Sequence, residues 1–198
     1  GLTDFGKTDG FLNRQASRWK KQFDSYSSYN GWSSDELALN VEHISTWLTE
    51  NCPKSFTPGI VHGDYHLGNV MFCHDKPELA AIIDWELCTI GDPLIDLGWL
   101  ITTWPNKDGK AIVPKLEASP WHGFATAEEL IARYAQLSRR DLSQLNWYIV
   151  LACYKLGIIL EGTHARACAG KAPVDVGKAL HLATLSLMNK ALHWMQKG

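Results

Sequence analysis

The residues best suited to chemistry lie in one stretch of the 198-residue chain, His62-Gly63-Asp64-Tyr65-His66-Leu67-Gly68-Asn69, with Asp84 fifteen residues beyond Asn69. Moving a phosphoryl group from ATP asks for little covalent chemistry from a protein. It needs a carboxylate to orient and deprotonate the acceptor hydroxyl, and hard oxygen ligands to hold magnesium against the phosphates. Asp64 offers the carboxylate, and Asn69 and Asp84 offer an amide oxygen and a second carboxylate. Two short apolar runs, 70–73 and 79–85, flank a polar turn at 74–78 and predict a β-hairpin. A turn centred near Lys76 sets residue 69 opposite about residue 83, which puts Asn69 beside Asp84.

Helices must carry that hairpin. Over 11–26 the apolar residues Leu12, Ala16, Trp19, Phe23 and Tyr26 recur in steps of four and three, a helix with one buried stripe. Ser33-Ser34-Asp35-Glu36 reads as a capping box, with Leu37, Val41, Ile44 and Leu48 continuing the period behind it. After Gly91-Asp92-Pro93 the pattern is almost wholly helical: 94–104, then a Gly/Pro-rich loop over 105–124, a helix from Thr126 to about Arg139, a buried helix over 143–168 and a last one over 174–196. The expected picture is a single domain, 1–198, made of a helical bundle with a small hairpin at 60–85 laid on it.

Composition excludes several classes. The hydrophobic fraction is 45% and the charged fraction 20%, as expected of a folded globular chain. A net charge of -2 with no Lys/Arg run gives no footprint for nucleic acid or anionic lipid. The apolar run at 145–160 contains Asn146 and Lys155 and falls short of the roughly 20 residues that span a bilayer. Five scattered cysteines, none in C-x-x-C spacing, fit free thiols in a reducing cytoplasm. The nine tryptophans are good core filler and carry no functional message.

Two nucleotide motifs overlap in the opening Gly1-Leu2-Thr3-Asp4-Phe5-Gly6-Lys7-Thr8. The stretch satisfies G-x-x-x-x-G-K-[ST] and also spells D-F-G. A P-loop needs a preceding strand and a loop built for anions, whereas Gly1 is the first residue and Asp4 would set a carboxylate inside that loop. A D-F-G aspartate follows a catalytic loop, and nothing upstream of Asp4 serves as one. The expectation is a polar lead-in, with Asp9 capping the first helix.

Asp64 and Asn69 are spaced as in the protein-kinase catalytic loop, where an Asn follows the Asp of H-R-D by five residues. The stretches VHGDYHLGNVMF, AIIDWELCTIGDPLIDLGW and ILEGTHARACAG resemble the aminoglycoside phosphotransferase and choline kinase superfamily. The nearest likeness is the phosphotransferase-type domain fused in some proteins to acyl-CoA dehydrogenases, and GLTDFGKTDGFLNRQASRWKKQF resembles that subgroup's segment just after its nucleotide lobe. The resemblance covers essentially the whole chain. It implies an α+β, mostly α-helical fold: a protein-kinase-like C-terminal lobe with a small catalytic hairpin and without the N-terminal nucleotide lobe. It further implies Asp64 as catalytic base, Asn69 and Asp84 as ligands of Mg2+ and so of ATP, and His66 near the transferring phosphate. His62 would brace the catalytic loop and Asp96 would hydrogen-bond it from behind.

The expected activity is ATP- and Mg2+-dependent phosphorylation of a small-molecule hydroxyl, weak or absent in this lobe alone. The rest of the cleft would come from an N-terminal lobe in cis or a partner in trans, and the exposed lobe face would favour dimerisation. A non-catalytic kinase-like binding module is one alternative, and a metal-dependent hydrolase using His62, Asp64 and His66 is another. Other polar residues carry plainer expectations. Asp92 reads as a turn or cap residue, Glu86 as a residue touching metal or solvent, and Lys155 as a side chain snorkelling out of its helix. His164 and Arg166 complement a helix dipole or line the acceptor site.

Overall fold

Residues 5–6, 8–113, 116–117 and 119–197 are described by a computed structural model, and regular structure in them begins with helix α1, Asn13–Asp24. Asp4 and Lys7 of the opening motif lie outside the described residues. Leu12, Ala16, Phe23 and Tyr26 are buried along the predicted stripe. Asp9 does not cap the helix. Leu12 occupies the N-cap position without a side-chain bond, and Asp9 contributes its backbone carbonyl, which accepts from Arg14 Nη1.

Helix α2, Ala38–Glu50, buries Val41, Ile44 and Leu48 on one side. The capping box expected before it is not formed. The Ser34 carbonyl accepts from both Leu37 N (2.9 Å) and Ala38 N (2.8 Å), so the helix starts later, behind a turn. Ser33 Oγ instead accepts from Asp35 N at 3.1 Å, and Glu36 reaches across to His181.

Four short strands follow. β1 (Gly59–Val61) pairs antiparallel with β4 (Thr89–Gly91), and β2 (Val70–Phe72) pairs antiparallel with β3 (Leu79–Ile82). The inner pair matches Val70 with Ile82, and Ile83 N donates to Asn69 O at 3.0 Å, which carries the predicted register one step further. The outer ladder was not anticipated. It clamps both ends of the segment, so residues 62–69 and 83–88 are the two connections between one ladder and the other. Met71, Phe72, Leu79, Ile83, Trp85 and Leu87 stand 41% to 56% exposed, an apolar face on the hairpin side of the molecule.

Helix α3 (Leu94–Thr103) starts from the Asp92-Pro93 turn, where Asp92 Oδ1 accepts from Leu94 N at 3.0 Å. Helix α4 (Ala127–Leu137) has the capping box read from its sequence, with Thr126 Oγ1 accepting from Glu129 N and Glu129 Oε2 accepting from Thr126 N. Helices α5 (Leu145–Cys168) and α6 (Val174–Met195) pack against each other along their lengths, and α5 also takes α3 on its flank. Gly98 permits that second contact, because a Cβ there would lie 2.5 Å from the Tyr148 carbonyl oxygen. Among the described residues α5 is the one helix long and apolar enough to cross a membrane, yet Trp147, Ile149, Val150, Cys153, Tyr154 and Ile158 are all sealed in the core.

Candidate active site

Residues 62–66, leaving β1, are neither strand nor helix, and several of their backbone groups are satisfied by side chains. Asp96, in the first turn of α3, accepts from His62 N at 2.6 Å and from Gly63 N at 2.9 Å. Burial pushes the Asp96 carboxyl up, and the two N–H bonds pull it partly back. Gly63 has φ +90°, and a Cβ on it would sit 2.6 Å from the Leu87 carbonyl oxygen. Gly63→Ala should therefore destabilise the protein by at least ~2 kcal/mol, from backbone strain and clash together, read as a fall in Tm.

His62 is 2% exposed and uses both ring nitrogens within the loop. Nδ1 accepts from Asp64 N at 3.3 Å, which makes Nε2 the donor to Ile83 O at 2.8 Å. The imidazole thereby ties the first connection to the second. Among the described residues His62, Asp64 and His66 do not converge as a ligand cluster. The hydrolase alternative loses its site for that reason.

Asp64 is positioned from three sides. Trp99 Nε1 donates to Oδ1 at 2.9 Å, while His66 Nε2 and Asn69 Nδ2 each stand 3.5 Å from Oδ2. The neighbouring His66 imidazole holds the carboxyl below the usual Asp range, Trp99 and Lys155 add to this, and partial burial opposes it. His66 Nδ1 accepts from Gly68 N at 3.0 Å, which caps the single turn 67–69 and aims Nε2 at Asp64.

Asn69 is buried, and its amide nitrogen donates to Asp64 O at 2.9 Å. Its Oδ1 makes no hydrogen bond among the described residues. Asp84 is exposed, likewise makes no side-chain hydrogen bond there, and has φ 65° and ψ 55°. It is the one non-glycine residue with positive φ among the described residues. Aspartate is among the few non-glycine residues that tolerate this handedness, and here its carboxylate serves no local partner, which leaves it open to a ligand. The site thus brings Asp64, His66 and Asn69 into direct contact and sets Asp84 beside Asn69 through the backbone pairing. Glu86 is exposed in the turn after Asp84.

Two participants were missed. Trp99 lies three residues after Asp96 on α3, so both face the loop, and that spacing was the available signal. Lys155 does not snorkel outward. Its Nζ donates to Gly63 O at 2.9 Å and sits 4.3 Å from the Trp99 ring centroid. Burial lowers the Lys155 pKa, and Asp64 and Asp96 offset this. Asp92 proves to be a structural residue: besides its cap, Oδ2 accepts from Tyr148 Oη at 2.5 Å.

The Phosphotransferase enzyme family profile matches residues 1–146. Acyl-CoA dehydrogenase family member 11 from Gallus gallus is 30% identical over 183 residues, 88% of this chain but 22% of that protein. Acyl-CoA dehydrogenase family member 10 from Mus musculus is 29% identical over 86% of this chain and 16% of its own length. Among solved structures, a Ralstonia eutropha protein provisionally assigned as an aminoglycoside phosphotransferase superposes with a TM-score of 0.77 at 26% identity, covering 100% of this chain and 59% of its own.

Proposed function

Because the chain belongs to the phosphotransferase enzyme family, we propose that it supplies the catalytic lobe of an ATP- and Mg2+-dependent kinase acting on the hydroxyl of a small molecule. The observation that carries this reading is the division of labour between the two connections. Asp64 and Asn69 are bonded to one another, while Asn69 Oδ1 and the Asp84 carboxylate make no hydrogen bond among the described residues, and Ile83 N, next to Asp84, is bonded to Asn69 O.

In this reading Asp64 Oδ1 is held by Trp99, and Oδ2, with only long contacts, is the oxygen that takes the acceptor's proton. Asn69 Oδ1 and Asp84 are hard oxygen donors that fit a magnesium ion. Magnesium-ATP would supply the phosphoryl group and neutralise charge on its oxygens. His66, bonded at Nδ1 to Gly68, presents Nε2–H toward Asp64 and the space where the acceptor and phosphate meet. His62, Asp96 and Lys155 do not touch the reacting atoms and act as positioning residues. The half-exposed apolar face of the hairpin supports a second lobe, or a second copy, seated there. Five unpaired cysteines support a cytoplasmic setting.

Calorimetric titration of magnesium-ATP into the chain tests the site. Magnesium-dependent binding that Asp84→Asn weakens by about tenfold or more, and that Lys7→Ala leaves intact, supports the proposal. Binding lost with Lys7→Ala and kept with Asp84→Asn would move the nucleotide to the opening motif and overturn it.

A further inference from the structure

Glu161 is completely enclosed, yet it is a carboxylate. Trp32 Nε1 donates to its Oε1 at 2.7 Å, His164 Nδ1 stands 2.9 Å from the same oxygen, and His181 Nδ1 stands 2.8 Å from Oε2. The two imidazoles are 4.3 Å apart, tilted by 36°. Each points Nδ1 inward and has its outer nitrogen engaged: His181 Nε2 is 3.2 Å from Glu36 Oε2, and His164 Nε2 is 3.4 Å from Cys168 Sγ.

We propose that Glu161, His164 and His181 form a binding site for a transition-metal ion of the zinc class, distinct from the magnesium ligands of the hairpin. Two imidazole nitrogens and one carboxylate are the donor set such ions prefer, whereas magnesium takes oxygens. The topology suits chelation. Glu161 and His164 are three residues apart on α5 and share a face, and His181 projects from the packed helix α6, so the candidate ligand atoms all lie within 4.8 Å of one another.

The ring of His181 has a carboxylate oxygen at both nitrogens, Glu161 on one side and Glu36 on the other. The arrangement of carboxylate, histidine and inner site is the one by which outer carboxylates orient metal-bound histidines. Ligand atoms around a tetrahedral ion with bonds of about 2.0 Å stand roughly 3.3 Å apart, so the two Glu161–histidine contacts, at 2.9 and 2.8 Å, would have to open by about half an ångström to hold the ion. The His164 and His181 side chains remain 20% and 17% exposed, so the cluster reaches solvent at its outer edge. The ion would tie α6 to α5 and, through Trp32 and Glu36, to the segment before α2.

The test titrates the metal-free 198-residue chain with Zn2+ against a chromophoric chelator, and separately with Co2+ followed by visible absorption. One Zn2+ should be taken per chain, with affinity falling more than about a hundredfold in His181→Gln and roughly ten- to a hundredfold in Glu36→Gln. Zn2+ should raise the Tm of the unaltered chain and not that of His164→Gln/His181→Gln. Co2+ bound to the unaltered chain should show the intense visible bands of a four- or five-coordinate ion, a readout that does not depend on any variant folding. If the unaltered chain holds Zn2+ no more tightly than His164→Gln/His181→Gln and Co2+ keeps the weak spectrum of its aquo ion, the cluster is an imidazolium–carboxylate pair only and the proposal is overturned.

Discussion

In the proposed reaction Asp64→Asn should lower phosphoryl transfer by about 10²- to 10⁴-fold, the contribution of a positioned general base, while the affinity for magnesium-ATP should stay near that of the unaltered protein. The asymmetry follows from the two carboxylate oxygens. An asparagine oxygen can still accept from Trp99 Nε1, so the loop keeps its main anchor, whereas the position of Oδ2 is taken by an amide that cannot accept a proton. ADP release assayed across a panel of hydroxyl acceptors, set beside calorimetric binding, separates the two effects. Equal and measurable turnover in both proteins would remove Asp64 from the mechanism.

His66→Ala sharpens that test. Because His66 is the largest influence holding Asp64 low, its removal should let the Asp64 pKa rise and carry the acidic limb of the kcat/KM profile to higher pH. The accompanying stability effect has a definite sign. A carboxyl depressed in the folded state contributes stability above its unfolded value of about 3.9 and loses it as pH falls through the folded value. That contribution is fully present at neutral pH, where stability is flat with pH, so His66→Ala should lower neutral-pH stability as well.

The second large effect belongs to a residue that never meets substrate. Asp96→Ala removes the acceptor of two loop N–H groups at once, and Ala offers nothing in return. An unsatisfied buried donor costs ~1–3 kcal/mol, so a loss of about 3 kcal/mol and a fall in Tm of about 6–12 °C are expected. Turnover should fall as well, since the same loop aims Asp64. Asp96→Asn discriminates between charge and geometry: its oxygen can serve one N–H, but its amide then opposes the other. Thermal unfolding that leaves Asp96→Ala within 1 °C of the unaltered chain would show that the loop is held by other means.

The helices and the inner hairpin were legible because each rests on local periodicity. The step of three and four through Leu12, Ala16, Trp19, Phe23 and Tyr26, and the turn centred near Lys76, needed no knowledge of distant chain. What escaped depends on neighbours remote in sequence. The ladder of Gly59–Val61 with Thr89–Gly91 joins segments about thirty residues apart, each only three residues long, too short to show a period of their own. The outward expectation for Lys155 failed because a lone cation in an apolar helix usually finds water, whereas here it finds the Gly63 carbonyl and the face of Trp99. The capping box at Ser33 failed for a related reason, since Glu36 is drawn across to His181. His164, read as complementing a helix dipole or lining the acceptor site, is instead bonded to a carboxylate one turn before it.

The left-handed backbone at Asp84 sets two independent filters on what a randomised library could recover at that position. Screening for folded protein alone should enrich glycine, asparagine and aspartate, the residues that tolerate this handedness. Screening for nucleotide-dependent turnover should then discard glycine, which has no oxygen to offer, and rank aspartate above asparagine by charge. Glutamate, the usual conservative exchange for aspartate, should fail the first screen despite passing the chemical requirement of the second.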